Sequence, residues 1–356
     1  MSATVNSATV NSAAVNSGPG TMTALRIEGP HRAALARVPL PEPGPDEVLV
    51  RTALVGLCGT DLEMLHGTAS YLRDGRTSYP VVIGHEWTGT VVHGNAGFAP
   101  GERVVGHTML HCGRCRMCLR GRRALCERLR EVGLYGQQGA AAEYVAMPGG
   151  SLSRVPDPVP DRAAALVEPA VTVVGGLEQA RCRLADRVAV IGTGTIGLLA
   201  VQLAARLAGS VDAVGIDPAG LELALRCGAG RALTPEQAED GGYSLVVEAS
   251  GAAPAFRRGL DLLEPGGRLA VIGVAGAPAE GFVPGELALR GLEVIGVRHG
   301  LDYYDRTLRL FQDGVLDAEP LIATVLRPSD GPAAFELLRS GRTGPPKILI
   351  DFGGSR

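Results

Sequence analysis

The sequence predicts an α/β fold in which a doubly wound parallel sheet binds a dinucleotide. A buried strand is predicted at Arg187–Ile191, and Gly192, Gly194 and Gly197 follow it in G-x-G-x-x-G spacing before a helix rich in Leu and Ala. The next strand, in SVDAVGIDP, ends at Asp217. Such glycines allow a tight turn and let the backbone approach a pyrophosphate, while the acid accepts hydrogen bonds from ribose hydroxyls. These features in this order predict an NAD site.

The sheet is predicted to continue through YSLVVEASG, GGRLAVIGVAG and LEVIGVRHG, with a helix at about 255–263 between the first two. This Rossmann-type region covers about 171–302. Asp217 would repel a 2′-phosphate, and the next three residues include no arginine to neutralise one, so NAD is predicted rather than NADP. The predicted cofactor-binding residues are Gly192, Gly194, Thr195, Ile196, Gly197 and Asp217.

A cluster of cysteines in HCGRCRMCLRGRRALC predicts a closed metal site. Cys112, Cys115, Cys118 and Cys126 follow the spacing C-x2-C-x2-C-x7-C, so four thiolates can complete a tetrahedron around zinc. An iron–sulfur cluster of the bacterial ferredoxin type has a shorter last gap and a following proline, whereas Glu127 follows here. A site filled by four thiolates leaves no position for substrate and is structural. The arginines between the cysteines are expected to form a solvated face.

A second set of ligand types has the opposite character. Cys58 occurs in GLCGTD, His85 and Glu86 occur in IGHEW, and Glu168 occurs in LVEPA. A thiolate, an imidazole and one or two carboxylates leave a coordination position open for water or substrate. Each residue alone is weak evidence, because a single Cys or His in apolar surroundings is usually a core residue.

Composition excludes several other classes of protein. The 356 residues are 46% hydrophobic and 20% charged with a net charge of −3, which is typical of a globular chain with no general attraction to nucleic acid or an anionic membrane. The repeats at 1–21 predict a flexible tail, and Met22 is an alternative start. The apolar stretch from Val188 contains the glycine motif and is not expected to span a membrane. A cytoplasmic protein with a small-molecule partner is expected.

From Met22 to Phe352 the chain resembles the zinc-containing medium-chain alcohol dehydrogenases, with the motifs in that family's order. The resemblance implies a GroES-like β-barrel catalytic domain at 22–170, a structural zinc lobe at about 107–131, and a segment at 303–356 that completes the catalytic domain. Glu168 in place of a cysteine resembles the sorbitol, threonine and glucose dehydrogenase branch. The resemblance also implies a homo-oligomer, either a dimer or a tetramer.

The resemblance assigns the metal ligands and the reaction. Cys58, His85 and Glu168 match catalytic zinc ligands, Glu86 matches a ligand that exchanges with water or substrate, and the four-cysteine lobe matches a structural zinc site, giving two zinc ions per chain. The reaction implied is hydride transfer from the carbinol carbon of an alcohol to NAD, with the metal lowering the pKa of the hydroxyl group.

The proton path departs from the family pattern. Thr60 matches the hydroxyl residue that passes the proton outward, although without the resemblance it would be interpreted as an ordinary turn residue, and Asp61 matches a carboxylate that supports a metal ligand. Where many members have a histidine five residues after the cysteine, this chain has Glu63; His66 follows as another candidate or as a surface residue.

Arg298 in GVRHG resembles an arginine of the sorbitol dehydrogenases and is a candidate to bind substrate hydroxyls, with an interdomain or cofactor contact as the alternative. Glu63 and Trp87 favour a polar pocket with an aromatic surface. The leading hypothesis is therefore an NAD-dependent dehydrogenase of a polyol, sugar or (amino)cyclitol. The alternatives are a threonine-type amino alcohol or simple alcohol dehydrogenase, and a non-catalytic nucleotide-binding protein.

Overall fold

The computed structural model describes residues 20–274, 276, 278–339 and 344–354. The flexible tail predicted at 1–21 lies outside these residues except for its last two positions. The strands are β1 (Thr21–Gly29), β2 (Arg32–Pro39), β3 (Glu47–Leu57), β4 (Val81–Val82), β5 (Glu86–His93), β6 (Arg103–Gly106), β7 (Met109–Leu110), β8 (Arg130–Val132), β9 (Gly136–Gln137), β10 (Tyr144–Pro148), β11 (Leu152–Arg154), β12 (Arg187–Ile191), β13 (Ser210–Val214), β14 (Arg231–Leu233), β15 (Tyr243–Glu248), β16 (Leu263–Val271), β17 (Glu293–Gly296), β18 (Ile322–Leu326) and β19 (Lys347–Asp351).

Eleven α-helices accompany these strands in the described ranges. They are α1 (Gly59–His66), α2 (Ser70–Arg73), α3 (Arg116–Leu119), α4 (Asp161–Ala164), α5 (Val167–Gln179), α6 (Thr195–Leu207), α7 (Pro218–Arg226), α8 (Ala253–Leu262), α9 (Gly285–Arg290), α10 (Tyr304–Gln312) and α11 (Gly331–Arg339). None of the helices within the described part of the chain is both long enough and apolar enough to cross a membrane.

The predicted doubly wound sheet is present. Six parallel strands lie in the order β14-β13-β12-β15-β16-β17, so the order reverses beside β12. The inner strands β12 and β15 are almost fully buried because helices cover both faces, as expected for a parallel sheet. The fold class predicted from the glycine turn is confirmed.

The remaining strands form mainly antiparallel sheets. One contains β11-β6-β5-β3-β19-β18, with β10 also paired to β3, and a smaller one contains β2-β1-β4. Strand β19 pairs antiparallel with β3, so the C-terminal strands β18 and β19 belong to the same sheet as β3, β5 and β6. A third small sheet, β7-β8-β9, carries the four-cysteine segment between β7 and β8.

Two predicted strands are shorter than the sequence suggested. Strand β13 ends at Val214, and Asp217 instead caps α7, accepting hydrogen bonds from the backbone N–H groups of Ala219 and Gly220. Pro218 begins that helix because its fixed φ suits the first helical position. Strand β17 ends at Gly296, so Arg298 lies beyond it in a loop.

Candidate metal and cofactor sites

The four cysteines of the lobe converge as their spacing predicts. The ligand atoms of Cys112, Cys115, Cys118 and Cys126 all lie within 4.8 Å of one another, and none forms a disulfide. The Sγ–Sγ distances are 3.5 Å for 115–118, 3.8 Å for 115–126 and 4.0 Å for 112–118. Thiolates about 2.3 Å from a tetrahedral zinc would lie about 3.8 Å apart, so the donor set fits zinc.

Arginines near this cluster make local contacts. Arg128 donates from Nη2 to Cys112 Sγ at 3.4 Å and from its backbone N to Cys126 Sγ at 3.4 Å, which places positive charge beside the thiolates. Arg123 forms an ion pair with Asp302, which links the lobe to the segment after β17. At least one of the interleaved arginines therefore holds the lobe against the rest of the molecule.

A second cluster unites residues from two distant parts of the sequence. The ligand atoms of Cys58, His85 and Glu86 lie within 4.8 Å of one another. Cys58 caps the N-terminus of α1, and its Sγ accepts the backbone N–H of Thr60 at 3.4 Å. Glu86 is the first residue of β5. A helix start and a strand start thus present a thiolate, an imidazole and a carboxylate together.

Asp61 supports this cluster from its buried side. Its Oδ2 accepts the backbone N–H of Cys58 at 3.0 Å, and its Oδ1 lies 3.5 Å from Nδ1 of His85. Burial lowers the pKa of His85, but the charges of Asp61 and Cys58 outweigh it and raise the pKa well above its usual value. Metal-binding histidines are commonly oriented by a carboxylate in this way, so the arrangement fits a divalent metal that replaces the proton.

Lys347 is a residue of this site that sequence analysis missed. Its Nζ lies 2.5 Å from Oε2 of Glu86 and donates to the carbonyl of Leu57 at 3.1 Å, and it is 2% exposed. Burial raises the pKa of Glu86, while the lysine charge lowers it, with a net increase. A lysine at the start of a strand that is otherwise buried was the available signal, but its partner lies far away in sequence.

Glu168 lies beside this cluster but is engaged elsewhere. Oε1 of Glu168 is 3.1 Å from Nε2 of His299; His299 is buried, and Glu168 is partly buried. Burial raises the pKa of Glu168, but the hydrogen bond and charge of His299, with the charge of His85 and the hydroxyl of Thr108, lower it to about 2. Glu168 is therefore ionised, near the metal-binding group rather than among its three converging atoms.

A polar network adjoins the metal cluster. Glu131 is 3% exposed and accepts hydrogen bonds from Tyr135 Oη at 2.8 Å, Arg298 Nη2 at 3.0 Å and Tyr71 Oη at 3.4 Å. Burial and then the charge of Glu131 raise the pKa of Tyr71 to about 12, whereas the nearby charge of His85 lowers it. Sequence analysis identified Arg298 alone, because the other three lie in no recognisable motif.

The residues that the sequence suggested for the substrate pocket and the proton path lie in different surroundings. Trp87 is 1% exposed in the core of the antiparallel sheet and offers no surface for stacking, because its side on β5 faces inward. Glu63 is on the exposed side of α1, and His66 packs against His31 with ring centroids 5.1 Å apart. Thr60 is partly buried in the first turn of α1, two residues from Cys58.

The glycine turn has the geometry that a phosphate-binding turn requires. Gly192 follows β12 with φ of 108°, and Gly194 is the N-cap of α6, so the N-terminus of that helix faces outward from the sheet edge. A Cβ on Gly197 would lie 1.9 Å from the carbonyl oxygen of Gly192. Thr195 and Ile196 form the first turn of α6, where backbone N–H groups are free to bind an anion.

The chain is similar to known dehydrogenases along most of its length. Residues 44–157 match the family described as Alcohol dehydrogenase GroES-like domain, and residues 195–313 match Zinc-binding dehydrogenase. An L-threonine 3-dehydrogenase of Anaeromyxobacter dehalogenans is 32% identical, covering 90% of this chain and 95% of that protein.

Solved structures show the same similarity. A putative zinc-binding dehydrogenase from Sinorhizobium meliloti 1021, bound to NADP, is 30% identical with a TM-score of 0.85, covering 93% of this chain and 99% of the other. An alcohol dehydrogenase from Thermus sp. ATN1 is 31% identical with a TM-score of 0.83 and the same coverage.

Proposed function

Because the chain belongs to the zinc-containing medium-chain alcohol dehydrogenase family, we propose that it oxidises a secondary hydroxyl group of a polyol, sugar or (amino)cyclitol with NAD. The observation that carries this proposal is the convergence of Cys58, His85 and Glu86 beside the Glu131 network. A mixed metal site next to hydrogen-bond donors suits a substrate with several hydroxyl groups. The proposed enzyme is a cytoplasmic homo-oligomer, as expected from the family.

The residues of the catalytic site have distinct roles. Cys58, His85 and Glu86 would hold the zinc ion, with Glu168 as a further carboxylate ligand. When bound, the metal supplies Lewis acidity that lowers the pKa of a substrate hydroxyl. Asp61 orients His85 and holds the backbone of Cys58, and Thr60 is the proposed group that passes the released proton outward.

The cofactor would bind where the sheet order reverses. The first turn of α6 offers backbone N–H groups to the pyrophosphate. Asp217 lies beyond the neighbouring strand β13, where it can accept hydrogen bonds from the ribose hydroxyls. Its carboxylate would repel a 2′-phosphate, which favours NAD over NADP.

The substrate would meet the Glu131 network. Arg298 is 42% exposed and uses only Nη2 in hydrogen bonds with described residues, so its other N–H groups can donate to substrate oxygens. Glu131 fixes the guanidinium and both tyrosine hydroxyls in place. A site built in this way rejects analogues that lack the matching hydroxyls.

A second candidate substrate is L-threonine or a related amino alcohol. The similarity to an L-threonine 3-dehydrogenase over 90% of the chain favours it. Threonine also carries a secondary hydroxyl, so the metal and cofactor roles would be unchanged, and only the groups around the hydroxyl would differ.

The test is a substrate screen that follows NADH absorbance. Polyols, cyclitols, aminocyclitols and threonine are offered to the zinc-loaded protein with NAD, and at least one polyhydroxylated compound is expected to exceed ethanol and 2-propanol in kcat/KM. Cys58→Ser should abolish turnover, while Cys182→Ser, which removes a cysteine outside both clusters, should not. Threonine as the best substrate would select the second candidate. Full activity in Cys58→Ser would refute the proposed metal site.

A further inference from the structure

Glu168 has a buried partner that the proposed function does not explain. We propose that His299 is a positioning residue for the catalytic metal site, acting by holding one carboxylate oxygen of Glu168. This inference rests on the proposed function, because it takes Glu168 as a carboxylate that serves the zinc site. The hydrogen bond joins Nε2 of His299 to Oε1 of Glu168 at 3.1 Å.

The backbone around His299 is held tightly against α5. A Cβ on Gly300 would lie 1.6 Å from the carbonyl oxygen of Val171, so only glycine permits this approach. Val171 lies one turn after Glu168 on the same helix. On the other side, the backbone N–H of Val297 donates to the carbonyl of Val271 at 2.9 Å, which ties the segment to the parallel sheet. His299 is therefore fixed beside Glu168 by its neighbours in sequence.

The pair is shielded from water. His299 is 8% exposed, and the side chain of Glu168 is 12% exposed. The ring of Tyr304 lies 6.1 Å from that of His299 and is itself buried. Nδ1 of His299 has no hydrogen-bond partner among the described residues. The hydrogen bond between Nε2 and Glu168 is therefore the polar contact that orients the ring. In such surroundings a hydrogen bond restrains a carboxylate more firmly than at the surface.

The restraint matters because Glu168 is close to the metal ligands. The negative charge of Glu168 raises the pKa of both Tyr304 and Glu86, and the charge of His85 lowers the pKa of Glu168 in turn. Without His299, Oε1 of Glu168 would lose its hydrogen bond from Nε2, and the carboxylate would be restrained less firmly. Loss of a group that orients a metal ligand typically weakens metal binding by about 10–100-fold.

The experiment measures zinc release from the full-length, zinc-loaded protein into an excess of a chromophoric chelator. Two zinc ions per chain are expected, and the phase absent from Cys58→Ser marks the catalytic site. His299→Ala should accelerate that phase by about 10–100-fold and leave the other phase unchanged. His299→Gln, whose amide N can replace Nε2 as a donor to Glu168, should restore slow release.

A matched control separates positioning from packing. His107 also packs against Tyr304, with ring centroids 3.9 Å apart, but it contacts Ser153 rather than Glu168, so His107→Ala should not accelerate the catalytic phase. In a Glu168→Gln background, His299→Ala should have no further effect, because it acts through that carboxylate.

Other results would overturn the inference. Unchanged release from His299→Ala, equal acceleration by His107→Ala, or an effect that persists in full in the Glu168→Gln background would each show that His299 does not act through Glu168. A Cys58→Ser protein that still binds two zinc ions would instead show that the proposed metal site is wrong, and the inference would fall with it.

Discussion

At the scale of single residues, the catalytic cluster depends on buried charges that compensate one another. Glu86 is 2% exposed, and Lys347 is the cation that faces it. Such a pair is costly to bury but more costly to break, because removal of one partner leaves an isolated charge away from water. Lys347 is therefore expected to stabilise the cluster by offsetting the buried charge of Glu86.

Replacing Lys347 with methionine tests this role. With no zinc bound at the catalytic site, where no metal offsets the charge of Glu86, Lys347→Met should lower the free energy of unfolding by about 3 kcal/mol at neutral pH. The lysine charge lowers the pKa of Glu86, so its removal raises that pKa further above the unfolded value. The free energy of unfolding of the variant therefore falls as pH rises through the pKa of Glu86 in the folded state. The difference in stability between the variant and the unsubstituted protein should be smaller in acid, where Glu86 is protonated.

Urea unfolding at pH 5.5 and pH 8 measures the difference. The double variant Lys347→Met/Glu86→Gln, which removes both charges, should recover most of the stability. If the loss in free energy of unfolding is the same at both pH values and in the double variant, packing of the lysine stem, rather than its charge, causes that loss.

At the scale of elements, one acid serves both a helix and the proposed cofactor site. Asp217 caps α7 by accepting the backbone N–H groups of Ala219 at 3.3 Å and Gly220 at 2.9 Å. The cap fixes where its carboxylate lies beyond β13, which is where a ribose is expected. The structure of the helix start and the recognition of the cofactor are therefore linked in this residue.

Two substitutions separate these roles. Asp217→Asn keeps a capping oxygen but removes the charge, whereas Asp217→Ala removes both. Both should raise the ratio of kcat/KM with NADP to that with NAD, and only Asp217→Ala should cost about 1 kcal/mol of stability. Parallel kinetics with the two cofactors and thermal unfolding measure the two effects. Equal or better kcat/KM with NADP before any substitution would contradict the predicted preference for NAD.

At the scale of the whole molecule, ionic contacts join the parallel sheet to the segment that carries the zinc lobe. Arg298 follows β17 and binds Glu131 on β8, while Asp302 binds Arg123 in the lobe. Arg298 therefore joins these two segments, as one of the alternatives weighed for it expects, and its role toward substrate stays a prediction. The proposed substrate site lies where these parts meet.

Replacing Arg298 tests its proposed role toward substrate. Arg298→Ala should lower kcat/KM for the best polyhydroxylated substrate by about 10–100-fold, the effect of losing a charged hydrogen bond, and should change turnover of simple alcohols much less. Arg306→Ala is a suitable control, because Arg306 forms an exposed ion pair with Glu178 on α5. An unchanged ratio between the two classes of alcohol would refute the substrate role of Arg298.

Motifs that are continuous in sequence were predictable because local spacing alone determines them. The four-cysteine lobe and the glycine turn bring their residues together within one loop or one strand–turn–helix unit, and the α/β fold follows from the latter. Cys58, His85 and Glu86 needed the family resemblance, and Trp87 was misjudged because adjacency to a ligand does not determine which face of a strand is buried.

Contacts between distant segments were decided only by the tertiary structure. His299 and Glu168 lie 131 positions apart, Arg298 and Glu131 lie 167 apart, and Lys347 and Glu86 lie 261 apart. No local pattern records such pairs, since each forms only when separate strands and loops pack together. The sequence by itself therefore determined the family, the reaction class and the candidate ligands. The tertiary packing of separate strands, helices and loops decided which buried partners hold those ligands.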